Sequence, residues 1–586
     1  MDKLLKGIQP SLNQQQQEAI SHGEGPLLIS AGAGSGKTRT LTQRVIKLVG
    51  NGVTPERIVA ITFTNKAADE IKARLRSSFK GLEVLPFLGT FHSFGARILR
   101  NEAQLVGRAN NYVIFDNDDS EKIIKKTVRD MELSTERYPV GKVQKKISFI
   151  KDELADSSEL EEPFRSIFEK YEERLKLQNA FDFDDLIEKP VRILQRNKEV
   201  LKKYQDCFEY ILVDEFQDIN TSQYALVRLL AHKHKNLNVV GDDNQSIYKF
   251  RGADFRNFLN FEKDWPEAKI VHLGENYRSS KNIVDAAASL IKNNKLQRPK
   301  HLWTSNDGGE PVIVLASWSA EEEALKIVDE LLKGNLGSSA ILYRTNAQSR
   351  AIEQALNFNS IPYEIFGGLK FYERKEIKDI VAALRYAMNP LDEISLERLH
   401  KTFRKKEFLE LQEKLPALGE KLSPIELIGF IIKTSQYESY LENKFDNYEE
   451  RLENVAELIN FASNFQTLIE FVERISLLES SDKIKQDTNI KRVKLMTIHL
   501  SKGLEFDNVI IAGVNEGIIP HQRSLFSNDD IEEERRLMYV AMTRARHKLT
   551  LSFYGLASRF LQEIPPELIE FDSKNNLGDE DEVNLI

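Results

Sequence analysis

Residues 25–38 constrain this chain more than any other stretch. Gly25-Pro-Leu-Leu-Ile-Ser-Ala-Gly is a short apolar run that reads as a buried strand, and Ala31-Gly-Ala-Gly-Ser-Gly-Lys-Thr38 follows it. Beyond the loop, Leu41, Val45, Leu48 and Val49 recur at helical spacing. Strand, glycine-rich loop and helix in that order make a phosphate-binding turn. Its backbone N–H groups converge, and the helix N-terminus adds partial positive charge. Lys37 would reach the β- and γ-phosphates of a nucleotide, and the Thr38 hydroxyl would ligate Mg²⁺. The general pattern G-x-x-x-x-G-K-[ST] is broken at Ala31, where a glycine is expected. An exposed Gly/Ser turn is the bland alternative, and the flanking elements argue against it.

Three more apolar runs end in polar clusters. Ile58-Val-Ala-Ile-Thr-Phe-Thr64 precedes a helix with Ala67, Ile71 and Leu75 on one face, and Gly89-Thr-Phe-His-Ser-Phe94 follows. From these residues alone, Phe63 and Phe91 read as core more readily than as contacts. Tyr210-Ile-Leu-Val-Asp-Glu-Phe-Gln-Asp218 sets Asp214 and Glu215 at the carboxyl end of a buried strand, where open α/β sheets bind ligands. Asp214 suits Mg²⁺, which takes hard oxygen ligands. Glu215 suits activation of an attacking water. With the loop, these acids indicate a nucleoside triphosphatase. Asn238-Val-Val-Gly-Asp-Asp-Asn-Gln-Ser-Ile-Tyr-Lys-Phe-Arg-Gly252 is a fourth strand with a polar exit. Gln245 could orient the lytic water or sense the γ-phosphate. Tyr248, Phe250 and Arg251 interleave rings with charge, as a base-stacking platform does.

Composition bounds the class. At ~100–150 residues per domain, 586 residues make about four domains. With 82 Lys+Arg against 90 Asp+Glu, the net charge of −8 excludes a strongly basic nucleic-acid coat protein. A hydrophobic share of 41% excludes global disorder. The single cysteine, Cys207, excludes an intrachain disulfide and a zinc cluster, and is expected to pack as a small core residue. No uncharged apolar run reaches the ~18 residues of a membrane span. Met1-Asp-Lys-Leu-Leu-Lys-Gly carries no apolar leader, so a cytoplasmic protein without membrane association is expected. The Lys/Glu-rich stretches at 121–176 and 401–455 are expected to be solvated helix faces.

Taken together, these motifs resemble the superfamily 1A helicases, specifically the UvrD/PcrA/Rep family. Leu12-Asn-Gln-Gln-Gln16 is similar to the family's adenine-reading element, with Gln16 in the reading position. The family's own loop variant accounts for Ala31, and the resemblance assigns nucleotide contacts to Ala33, Gly34, Ser35, Gly36, Lys37, Thr38 and Arg39. Leu273-Gly-Glu-Asn-Tyr-Arg-Ser279 resembles the fourth motif, which implies that Tyr277 stacks on adenine and Arg278 meets the γ-phosphate. Val493-Lys-Leu-Met-Thr-Ile-His-Leu-Ser-Lys-Gly-Leu-Glu-Phe506 resembles motif five, which places Glu505 at the ribose. Glu532-Glu-Glu-Arg-Arg-Leu-Met-Tyr-Val-Ala-Met-Thr-Arg-Ala545 resembles motif six, which makes Arg544 the arginine finger. The implied catalytic set is Lys37, Glu215, Gln245, Arg278 and Arg544, with Thr38 and Asp214 on the metal. Single-strand contacts are expected from Phe63, Thr90, His92, Tyr248, Phe250, Arg251, Asn346 and His521.

The resemblance implies an α/β protein with two RecA-like P-loop motor domains, each carrying a mainly helical insertion. The expected division is 1–110 and 201–275 for the first motor, with 111–200 inserted. The second motor takes 276–385 and 489–570, with 386–488 inserted, and 571–586 forms an acidic tail. ATP and Mg²⁺ would sit in the cleft between the motors. The implied activity is ATP-dependent 3′→5′ DNA unwinding and single-strand translocation, on single strands and single-strand/duplex junctions. Repair or replication proteins are the partner class, and the basal state is expected to be a monomer. Two departures stand out. Phe250 occupies a position where the family commonly has Trp, and 386–488 is short for the second insertion. That insertion reads Phe403-Arg-Lys-Lys-Glu-Phe408 where a Gly-Ile-Gly duplex-binding turn is expected. The alternatives are a translocase that strips bound proteins with little unwinding, and an ATP-gated binding module that no longer hydrolyses.

Overall fold

The computed structural model describes residues 12–62, 64–79, 84–135, 137–481 and 491–572. The chain divides into two compact units. The first comprises 1–278 with 294–306, and the second comprises 279–293 with 307–586. The seam thus falls at Arg278, and a later segment returns to the first unit.

Unbroken apolar runs suit parallel strands that are covered on both faces. In the first unit these are β1 (Leu27–Ala31), β2 (Ile58–Ile61), β3 (Phe87–Gly89), β6 (Tyr210–Val213), β7 (Leu237–Gly241) and β8 (Lys269–Leu273). A small separate pair is formed by β4 (Val113–Ile114) and β5 (Ala180–Phe181). The main sheet runs β3-β2-β6-β7-β1-β8, and its pairings are parallel. Alternation along each strand splits the core in two. Leu28, Val59, Ile211 and Val239 face one layer with Phe94, Val191 and Leu230. Ile29, Ala60, Leu212 and Val240 face the other with Leu41, Val45 and Ile71.

The second unit repeats this plan with β9 (Val312–Ser317), β10 (Ser339–Tyr343), β11 (Tyr363–Ile365), β12 (Val493–Thr497), β13 (Phe506–Ile511), β14 (Ala545–Tyr554) and β15 (Ile569–Phe571). Their order is β11-β12-β10-β13-β14-β9-β15, again with parallel pairings. Both sheets are thus α/β layers of the doubly wound kind.

Helical insertions interrupt both sheets, with edges set by packing. Between β3 and β6, Ile124, Val128, Val143, Ile147, Ile167 and Tyr171 form a separate core. Helix Asp185–Arg196 instead sends Ile187, Val191 and Leu194 into the sheet's core. Between β11 and β12, helix Lys375–Met388 already belongs to the insertion, because Ile377, Ile380 and Leu384 share a core with Leu411, Leu427 and Leu458.

Two expectations need correction. Cys207 is exposed, because Tyr204 and Phe208 take the buried positions around that helix end. Within the Lys/Glu-rich stretch, Lys151 is 1% exposed and meets Asp182 at 2.6 Å and Asp185 at 2.8 Å. Among the described residues, no helix is long and apolar enough to cross a membrane.

Candidate nucleotide site and strand-binding surface

The parallel register carries the carboxyl ends of β1, β6 and β7 to one edge of the first sheet, and the loop motifs start there. Gly34 and Gly36 adopt φ of +68° and +82°, a region that side chains rarely occupy. Gly36 caps helix Lys37–Gly50, which leaves its first N–H groups directed at the loop. A Cβ on Gly34 would lie 2.7 Å from Asn276 Nδ2, so the turn also needs glycine for space.

The chain itself braces the loop. Gln16 is fully buried; its amide donates to Ser35 O at 3.0 Å and its Oε1 accepts from Asn13 N. Ser35 Oγ donates to Gly32 O at 2.8 Å. Asn276 Nδ2 donates to Ala33 O at 2.8 Å, while its Oδ1 accepts from Arg278 N at 2.7 Å. Tyr277 N donates to Gly34 O at 3.0 Å, and the Tyr277 ring stays 41% exposed with its hydroxyl donating to Glu275. Burial, and then Glu275, push the Tyr277 phenol up to about 12, so it remains neutral. Arg39 and Arg278 are half-buried beside these elements.

At the centre, Thr38 Oγ1 donates to Asp214 Oδ2 at 3.0 Å, and Lys37 Nζ lies 3.7 Å from Glu215 Oε2. Burial, and then repulsion from Glu215, push the Asp214 carboxyl up to about 7. A buried carboxylate beside a hydroxyl, held against its own ionisation, is a donor set that a hard divalent cation satisfies. Glu215 adopts the left-handed conformation (φ 51°, ψ 43°), a strain of about 1–3 kcal/mol for a non-glycine residue. Its carboxylate also accepts from Gln217 Nε2 at 2.6 Å. Gln217 Oε1 in turn accepts from Asp242 N at 3.0 Å, and Gln245 Nε2 donates to Asp242 Oδ2 at 2.7 Å. Hydrogen bonds and the Lys37–Glu215 ion pair therefore join Lys37, Thr38, Asp214, Glu215 and Gln245 along one edge.

The residues expected to stack on bases cluster beyond β7. Tyr248 and Phe250 have ring centroids 6.0 Å apart, and the Arg251 guanidinium lies 5.3 and 5.5 Å from them. Phe250 is 66% exposed. Thr90 is the cap of helix Phe91–Glu102 and bonds Ser93 reciprocally. His92 packs edge-on to Phe183, and burial lowers its pKa, so the ring is neutral at neutral pH. Phe63 falls outside the described residues.

The remaining predicted residues lie in the second unit. Arg544 is 2% exposed, and its guanidinium donates to Val540 O, Leu504 O and Thr543 Oγ1. Glu505 is exposed and accepts from Arg546. Asn346 Nδ2 donates to Glu450 at 3.3 Å, and His521 Nε2 lies 3.3 Å from Glu453. Both acids belong to helix Tyr448–Ala462 of the insertion.

Three residues went unassigned in the sequence. Asn276 sits inside a quoted motif, and its burial beside the glycine loop was the missing signal. Asp242 and Gln217 were legible as polar strand exits, but only the fold shows them joining Glu215 to Gln245.

Comparison with known proteins agrees with this geometry. The family model for the UvrD/REP helicase N-terminal domain matches 12–266, and that for the UvrD-like helicase C-terminal domain matches 271–444 and 428–555. The ATP-dependent DNA helicase PcrA of Staphylococcus epidermidis is 38% identical over 97% of this chain and 88% of its own length. The PcrA helicase of Staphylococcus aureus strain Mu50 is 38% identical over 95% of this chain and 87% of its own. The phosphate loop, the paired acids and these matches across both units lead to one conclusion: the chain belongs to the UvrD/PcrA/Rep family of helicases.

Proposed function

We propose that the protein is an ATP-dependent DNA helicase that moves 3′→5′ along a single strand and separates duplex ahead of it. The observation that carries this reading is the paired contact at the sheet edge, Thr38 on Asp214 and Lys37 beside Glu215. Phosphoryl transfer needs mainly positioning and charge, and this edge supplies both. Mg²⁺, bound with ATP through Thr38 and Asp214, would spread the charge of the phosphates. Lys37 would exchange Glu215 for the β- and γ-phosphate oxygens. Glu215 Oε would then accept a proton from water as the water oxygen attacks the γ-phosphorus and the bond to the bridging oxygen breaks. Gln245 would orient that water, and Arg278 would hold the γ-phosphate. Arg544 would give up its carbonyl partners for the developing charge. Tyr277 would stack on the base, Gln16 would read adenine, and Glu505 would hold the ribose.

Tyr248, Phe250 and Arg251 would grip successive bases, with Thr90, His92, Asn346 and His521 on the strand's course. Stacking is worth about 1–3 kcal/mol per base and does not depend on sequence. Loss of the γ-phosphate contacts at each turnover would release that grip in alternation, which moves the strand. Single strands and their junctions with duplex are the substrates in this reading, with repair or replication proteins as partners and a monomer as the basal state.

Strand displacement from duplexes with 3′ or 5′ tails tests the proposal. Displacement of the 3′-tailed duplex alone is expected, and preference for the 5′ tail overturns the polarity. The second reading, stripping proteins from single strands, rests on the short second insertion, where a two-residue junction at Phe403–Arg404 joins helices Glu393–Thr402 and Lys405–Gly419 in place of the expected Gly-Ile-Gly turn. It predicts ATP turnover on single strands without displacement of even a short duplex.

A further inference from the structure

The segment 294–306 belongs to the first unit, although residues before and after it belong to the second. It lies along the nucleotide edge and touches it at both ends. Asn276 N donates to Trp303 O at 2.7 Å, and Thr304 Oγ1 donates to Asn276 O at 2.6 Å, so one end supports the residue that holds the phosphate loop. A Cβ on Gly32 would lie 2.3 Å from Leu302, which shows how closely the segment approaches the loop.

The other end carries Lys300. Its side chain is 3% exposed, and its ammonium lies 2.5 Å from both Asp242 Oδ1 and Asp243 Oδ1. Those two acids have fully buried side chains. Burial opposes the ammonium's charge, yet Asp242 and Asp243 outweigh it and hold the pKa above the ordinary lysine value. Arg298 N donates to Asp243 Oδ2 at 2.8 Å, which anchors the segment to the same pair. Asp242 is the residue whose Oδ2 receives the Gln245 amide and whose N–H reaches Gln217. Adjacent buried carboxylates without a cation would protonate or move apart, since an uncompensated buried charge is costly.

We propose that Lys300 is a positioning residue: it fixes Asp242 as the platform that aims the Gln245 amide at the γ-phosphate. The inference rests on the proposed role of Gln245. Without Lys300, Asp242 is a buried charge without its cation and turns, so the bond from Gln245 Nε2 to its Oδ2 is lost or redirected. ADP binding should be kept, because the bonds that brace the phosphate loop, Gln16 to Ser35 and Asn276 to Ala33, Trp303 and Thr304, do not involve Lys300.

The test is a ratio of affinities, measured with fluorescent ADP and a fluorescent non-hydrolysable ATP analogue, alongside phosphate release. Lys300→Met leaves two acids on one site and can fail to fold. The double variant Lys300→Met with Asp243→Asn keeps the net charge of the trio and is the decisive protein. Its preference for the ATP analogue over ADP should fall about tenfold, as for loss of a hydrogen bond to a charged group, with ADP affinity unchanged and kcat reduced. Lys300→Arg should restore part of the preference. An unchanged preference in the double variant overturns the inference, as does an equal loss of both nucleotides. Gln245→Ala separates the two readings. If it keeps full preference and turnover, the role of Gln245 falls; if it loses them while the double variant does not, only the role of Lys300 falls.

Discussion

Asp214 and Glu215 share a strand end but not a situation. One is buried and held near pH 7, whereas the other is strained into place and paired with Lys37. Lys37→Ala should cut phosphate release about 10²–10³-fold, the usual loss of one preorganised charge contact. Thermal melting should not change, because Lys37 contributes no core volume; near-full turnover would remove it from the site. Gly34→Ala should weaken nucleotide binding and lower stability by about 1–2 kcal/mol, since φ of +68° suits glycine. Equal affinity in a titration would show that the turn tolerates a side chain. The identities of Lys37, Thr38, Asp214 and Glu215 were legible from local pattern alone. Asn276 was not, because its role is a contact with Ala33 far earlier in the chain.

Helices and strands were legible by period, but the core each joined was not. Helix Asp185–Arg196 has the same periodic look as its neighbours, and only packing sends it to the sheet. Helix Lys375–Met388 is apolar on several sides and is drawn into the insertion. Phe250, beyond β7, keeps its ring in solvent beside Arg251. Phe250→Ala should weaken single-strand binding by about 1–3 kcal/mol, measured by fluorescence anisotropy, with ATP affinity unchanged. No loss of affinity would take the ring off the strand's path. Helix Ala320–Leu332 buries Glu323, whose carboxylate accepts from Gly513 N at 2.8 Å. Burial pushes this carboxyl from 4.5 up to about 7. Between those values the folded chain keeps a proton that the unfolded chain has lost, so stability falls as pH rises through the window. Glu323→Gln keeps the acceptor and removes the charge. It should melt several degrees higher at pH 8 and unchanged near pH 4; a shift at pH 4 alone would contradict the assignment.

Two RecA-like sheets lie in one chain, and the residues proposed for catalysis are drawn from both halves of the sequence. Lys37, Asp214 and Arg278 lie in the first unit, and Glu505 and Arg544 in the second. On the proposed function, the net charge of −8 suits a protein that must release its track. Many phosphate contacts would hold it, whereas a few exposed rings and one arginine grip bases reversibly. Composition therefore described the exterior, and the proposed binding surface rests on the local cluster of Tyr248, Phe250 and Arg251. The return of 294–306 to the first unit was not legible, because the contacts that tie it there, Lys300 with Asp242 and Asp243 among them, join residues far apart in sequence.

Coupling of chemistry to a strand is the central claim, and phosphate release from ATP with and without single-stranded DNA tests it most directly. The site and platform described above predict slow release alone and a many-fold rise when the strand is added, lost in Lys37→Ala. Release that is indifferent to the strand, or absent in its presence, would contradict the account.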